Sequence, residues 1–154
     1  MYQKIMAPLD GSELAECILP HLEAISKGCG VRDVILVRVV EPLELPTRGG
    51  LAFSQDELDQ MEAGRRSEAE NYFKQLVSRL QEQGLSVQSE ILEGKAAESI
   101  AEYAEKNGVD LIVIATHGRS GISRWYWGSV ADCILRSACV PVLMVRAPGC
   151  VPSV

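Results

Sequence analysis

The run Asp110-Leu-Ile-Val-Ile-Ala-Thr-His-Gly-Arg-Ser-Gly-Ile-Ser-Arg-Trp-Tyr-Trp-Gly-Ser129 decides how the rest of the chain is read. Leu111 to Ala115 are consecutive apolar residues after an acid, too few and too uniformly apolar for an amphipathic helix. Such a run suits a parallel strand covered on both faces. Thr116 to Arg124 is then a polar, glycine-bearing loop. Gly128-Ser129 heads an apolar-periodic helix over Val130 to Ala138, with Ser129 expected as its cap and Asp132 in its first turn. Strand, glycine loop and helix N-terminus together can hold a phosphate on free backbone N–H groups. On shape alone, a turn of this kind is more often a plain connection than a ligand site.

Working outward, the same alternation repeats on the N-terminal side. Ile5 to Leu9 reads as a short strand stopped by Pro8-Leu9-Asp10-Gly11-Ser12. Leu14, Ile18, Leu22 and Ile25 recur at helical spacing, with Glu13 and Glu16 in the first turn and a glycine stop near Lys27-Gly28. Val34 to Val40 is a β-branched second strand. Glu41 to Gln55, with Pro42, Pro46 and Gly49-Gly50, is a long irregular excursion, the kind of segment often used as a binding loop. Asp56 to Gln83 reads helical, with Ala69, Tyr72, Phe73, Leu76, Val77 and Leu80 on one face. Ser86 to Leu92 is a third, less buried strand, and Ala96 to Asn107 a helix. On the far side, Val140 to Arg146 is a fifth strand, with Pro141 suited to an edge.

The alternation βαβαβαβαβ predicts an α/β fold: one open five-stranded parallel sheet with helices on both faces, over residues 1–147, with 148–154 as a tail. Ligands on such sheets sit at the carboxyl ends of the strands, where the strand order reverses. The pattern alone leaves the strand order open.

Composition narrows the function. A balance of 21 acids to 15 bases, net charge −6, is the reverse of what a phosphate-binding nucleic-acid surface needs. The N-terminus has no signal-peptide core, and no apolar run reaches membrane-spanning length. Cys17, Cys29, Cys133, Cys139 and Cys150 form an odd set without a CxxC pair, so reduced thiols in a cytoplasm are expected. Cys17 and Cys133 read as small core residues, and Cys150 as the exposed thiol. The Walker pattern, GxGxxG, GxSxG and HExxH are all absent, and His21 and His117 are the chain's two histidines. Ordinary catalytic chemistry therefore has little to stand on.

Three features together are more specific: Ile5-Met-Ala-Pro-Leu-Asp10-Gly-Ser12, Gly118 followed after nine residues by Gly128-Ser129, and Val140-Pro-Val-Leu-Met-Val-Arg146. With them the chain resembles the universal stress protein family from about Ile5 to Arg146. The family's ATP-binding pattern is G-x-x-G, nine residues, then G-[S/T]. Ala115 stands here for the first glycine and adds a methyl where the backbone approaches the ligand. The resemblance implies a Rossmann-like sheet of order 3-2-1-4-5. It also implies ATP, with Mg²⁺ beside the phosphates, in a regulatory role rather than as fuel.

In the site so implied, Pro8, Leu9, Asp10 and the Val39 backbone lie near adenosine. Ala115, Thr116, His117 and Gly128 form the loop, and the N–H groups of Gly118, Arg119, Ser129 and Val130 hold the phosphates. A homodimer through the edge strand Val140–Arg146 is implied as well. The alternatives are a dimeric interaction module without nucleotide, and a slow ATPase or self-phosphorylating protein, which would lack the lysine and base of phosphoryl transfer. Residue by residue, Asp10 could instead cap the first helix in a capping box with Glu13. Arg119 and Arg124 could meet a terminal phosphate or solvent. Trp125-Tyr126-Trp127 reads chiefly as packing. Arg65 and Arg66 read as a solvated helix face.

Overall fold

The computed structural model describes residues 2–43, 54–116 and 129–147. In chain order these form β1 (Lys4–Pro8), a 3₁₀ helix (Ala15–Ile18), α1 (Leu19–Cys29), β2 (Asp33–Val40), α2 (Gln55–Glu82), β3 (Val87–Glu93), α3 (Ala96–Lys106), β4 (Leu111–Thr116), α4 (Ser129–Ser137) and β5 (Val142–Arg146). The strands make one sheet of order β3-β2-β1-β4-β5, parallel throughout.

Strand residues alternate between two cores, as a period of two requires. Ile5, Ala7, Val34, Leu36, Leu111, Val113 and Ala115 pack on the face covered by Ile18, Leu22, Phe73, Leu76 and Leu80. Met6, Ile35, Val37, Ile112 and Ile114 pack on the other, under Ile100, Ala104, Ala131 and Ile134. Every residue of β4 is buried, which is why its sequence shows an unbroken apolar run rather than an alternation. The edge strands read differently: only Val87 is buried in β3 and only Val145 in β5.

Local chemistry moves several element ends from their expected places. The first helical segment starts as a 3₁₀ turn and becomes α-helical at Leu19, with Pro20 in the first turn, where its missing N–H removes no helical bond. The tighter 3₁₀ winding carries Leu14, expected on the buried face, out to solvent. α1 ends at Gly30 rather than Gly28. Gly30 has φ +64° and donates its N–H to the Ser26 carbonyl, a left-handed cap that glycine adopts without strain. α2 starts with a capping box: Ser54 Oγ accepts from the Glu57 N–H while the Glu57 carboxylate accepts from the Ser54 N–H. β5 starts two residues later than expected, Pro141 contributing its carbonyl to the Ile112 N–H.

Asp110 locks β1 to β4 at the amino ends. Its Oδ2 accepts from the N–H groups of Gln3 (2.7 Å) and Lys4 (2.8 Å), and its own N–H donates to the Lys4 carbonyl (2.9 Å). Those two donors hold the Asp110 carboxyl below its ordinary value of 3.8. A carboxyl depressed in the folded state adds stability above its unfolded pKa and loses it as pH falls through the folded value. Asp110→Asn is expected to cost roughly 1–2 kcal/mol at neutral pH. Urea titrations across the acid range should show the gap to the parent chain closing as pH falls below 3.8 and on through the lower folded value of Asp110.

Candidate functional site

Backbone polarity defines the site. In a parallel strand successive residues aim their N–H and C=O groups at opposite neighbours. In β1 the odd residues serve β2, ending with the Leu9 N–H on the Val37 carbonyl at 2.8 Å. The even residues serve β4, as the Lys4 carbonyl does in accepting the Asp110 N–H. Pro8 is even, so the donor it lacks is one that would have faced β4. The β1–β4 pairs stop at Met6↔Ile112, whereas the β1–β2 pairs run on to Pro8↔Val37. β4 meanwhile continues to Thr116, held from its other side by Val145 and Arg146. A crevice therefore opens between the carboxyl ends of β1 and β4, at the point where the strand order reverses.

Two further strand ends face this space. Val39 has the parity of Val37, so its N–H and C=O point toward β1 at a level where β1 has ended. In β4 the even residues face β5, as shown by Ala147 N–H on the Thr116 carbonyl (3.1 Å), so the Ala115 backbone faces β1 and the crevice. Its methyl does not. Ala115 is 6% exposed and belongs to the core on the face of the sheet that carries Ile18 and Leu22. The methyl that stands in place of the first glycine thus lies in core, out of the plane in which the Ala115 backbone polar groups point. Thr116 is buried, its hydroxyl donating to the Val145 carbonyl at 3.4 Å. α4 begins at Ser129, one residue earlier than read from the sequence, with Asp132 in its first turn and half-buried Val130 behind it.

Asp10, exposed at the end of β1, accepts from Ser12 twice, through the N–H (2.9 Å) and the hydroxyl (2.6 Å). It does not cap the helix with Glu13. Ser12 takes that part, its Oγ accepting from the Ala15 N–H at 3.2 Å. Gly11 has φ +86°, a conformation glycine adopts without strain, and a Cβ there would press on the end of the Arg38 side chain, 3.0 Å from Nη1. The structure thus gathers Pro8, Leu9, Asp10, Val39, Ala115 and Thr116 at one end of the sheet. His117, Gly118, Arg119 and Gly128, with Arg124 and the Trp125–Trp127 aromatics, lie outside the described residues, as does most of the 41–55 excursion.

Residues that the sequence places only on helix faces and turns brace this end. Glu16 accepts from the Tyr72 hydroxyl (3.0 Å) and from Arg79 (3.0 Å), tying the 3₁₀ helix to α2. Burial first, and then the bond to Glu16, push the Tyr72 hydroxyl above its usual range. Arg65 and Arg66 are more than a solvated face. Arg65 donates to the Glu41 carbonyl at 2.9 Å, and Arg66 reaches the Glu93 carboxylate at 2.6 Å. The acid at the carboxyl end of β3 was the available signal for Arg66; the Arg65 bond, made to a backbone carbonyl, left none. Of the thiols, Cys17 is half-buried against the core as expected, Cys133 is exposed rather than buried, Cys139 is exposed, and Cys150 lies outside the described residues.

Comparison with known proteins bears on this arrangement. A model of the Universal stress protein family matches residues 1–146. The chain is 33% identical over 150 residues to universal stress protein MJ0531 of Methanocaldococcus jannaschii, covering 96% of this chain and 84% of that one. Among solved structures, that of protein MJ0577 superposes with a TM-score of 0.78 at 28% identity, covering 97% of this chain and 99% of the other. A family protein from Arabidopsis thaliana, solved with AMP bound, superposes at 0.66 and 16% identity over 96% and 93% of the two chains.

With its methyl in the core, Ala115→Gly should lower unfolding free energy by about 1 kcal/mol, through lost packing and a looser unfolded chain. Urea denaturation measures this. A gain in stability would show that the methyl is strained where it sits.

Proposed function

The chain belongs to the universal stress protein family, and from that premise we propose that it is an ATP-binding regulatory module in a stress response. One observation carries this reading: the Val39 and Ala115 backbones both turn their polar groups to the space above the end of β1, where Pro8 has ended the pairing with β4. A flat base with donors and acceptors on its edge suits such a strand end. The helix that follows β4 brings N–H groups suited to phosphates. The AMP held by the Arabidopsis relative supports an adenine nucleotide as the ligand class.

On this reading Pro8 and Leu9 floor the crevice, and Asp10 and the Val39 backbone meet adenosine. Ala115, Thr116, His117 and Gly128 shape the loop, and the N–H groups of Gly118, Arg119, Ser129 and Val130 take the phosphates. Mg²⁺ accompanies a bound triphosphate because hard cations prefer phosphate oxygens. ATP biases conformation here and is not fuel: the stretch from Thr116 to Ser129 carries no lysine for phosphoryl transfer. We place the protein in the cytoplasm, supported by the free thiols Cys17, Cys29, Cys133 and Cys139. A homodimer through the 140–146 edge is supported by β5 ending the sheet with Leu143 36% exposed.

The decisive experiment is acid extraction of the purified protein followed by chromatography and mass spectrometry of the released nucleotide. Near-stoichiometric ATP is expected. Mg-ATP added to emptied protein at about 100 times its dissociation constant should contribute roughly 2.7 kcal/mol and raise Tm by roughly 5–10 °C. Gly118→Val should abolish both effects while leaving the circular dichroism spectrum unchanged. A parent protein that is empty and ignores Mg-ATP would end this reading.

A further inference from the structure

We propose that Glu41 is a positioning residue for the nucleotide, fixing the Val39 backbone that meets its base. The inference rests on the functional reading above and assigns a part to a residue just beyond the strand that forms the site.

Glu41 follows the last residue of β2 and is held at both of its polar ends. Its Oε1 accepts from the Ala96 N–H at 3.0 Å, the first amide of α3. No side chain of α3's own cap position does this, since Lys95 makes no capping bond. A carboxylate there also meets the positive end of the helix. Its carbonyl accepts from Arg65 Nη1 at 2.9 Å. Next to it, the Val40 carbonyl accepts from the Gly94 N–H at 3.4 Å, on the β3 side.

Val39 itself is paired to β3 through Leu92 on one side, and on the other it faces a level where β1 has ended. A strand end with a neighbour on one side only is free to twist or fray, which would turn its base-facing N–H and C=O away. Glu41 removes that freedom by tying the residue two places on to α3 and α2 at once. Val37 and Val39 pack on the face covered by α3, and the Glu41 carboxylate, just beyond the strand, meets the first amide of that same helix.

The test is a ligand series on emptied protein by isothermal titration: adenosine, AMP and Mg-ATP. Glu41→Ala is expected to weaken all three by the same factor, about tenfold, the equilibrium worth of one charge-assisted hydrogen bond. The equality follows because the defect lies at the base and not at the phosphates. Glu41→Gln, whose amide oxygen can still accept from Ala96, should recover most of the affinity. Arg65→Ala leaves the α3 cap intact and should lose about threefold on all three ligands. It carries the test should Glu41→Ala not fold. A Glu41→Ala protein that melts earlier but binds all three normally well below its Tm would overturn the proposal, as would a loss confined to ATP. A parent chain that binds none of the three sinks the nucleotide reading and this inference with it. Normal binding by the variants sinks this inference alone.

Discussion

Everything at the carboxyl end of the sheet depends on β1 lying between two strands that belong to opposite halves of the chain, and on how far it bonds to each. Toward β2 it bonds through Leu9, and toward β4 its pairs stop at Met6. Pro8 sits where the next donor to β4 would be. A proline in a central strand normally costs a ladder bond with no return. Here the missing bond coincides with the topological switch point, so the loss of pairing and the reversal of strand order open the same crevice. Asp110 closes the opposite ends of the same two strands with two backbone N–H bonds, so the pair is fastened at one end and parted at the other.

The division of labour within single residues follows from the same geometry. In a strand, the side-chain direction and the direction of the backbone polar groups are set independently: one perpendicular to the sheet, the other in its plane. Ala115 and Val39 can therefore bury their side chains on opposite faces of the sheet while their amides look into one space. That is how a position can turn its amide toward the crevice and still be judged by its core packing.

α2 is the element that the carboxyl end of the sheet leans on from outside. Its later half is anchored by Ala69, Phe73, Leu76 and Leu80 in the core. Its polar contacts then reach three separate points around the crevice: the 3₁₀ helix through Tyr72, Arg79 and Glu16, the end of β2 through Arg65, and the end of β3 through Arg66. Exposed ion pairs such as Arg66–Glu93 contribute little to stability on their own. Their effect here is to fix where strand ends lie.

The sequence by itself determined the class of fold and most of its elements, because those are set by short-range periodicity. The unbroken run Leu111–Ala115 required a strand covered on both faces, and the face Ala69, Phe73, Leu76, Leu80 required a helix over the sheet. The phosphate-competent order of strand, glycine loop and helix was also readable. The motif resemblance supplied strand order, which periodicity leaves open. Element ends were read less well, as Gly28 for Gly30 and the 3₁₀ start at Ala15 show, since a cap depends on one backbone angle that neighbouring residues do not announce. Only the tertiary structure decided that the Ala115 methyl lies in core, that Ser12 rather than Asp10 caps the first turn, and that Glu41 joins β2 to α3 and α2. The Ser12 cap is local, three residues from Ala15, and was a choice between two nearby side chains. The other two turn on which groups meet across tens of residues, 55 between Glu41 and Ala96, and on which face of the sheet a strand residue packs. Neither quantity is carried by residue identity. Both are set when the strands take their order in the sheet.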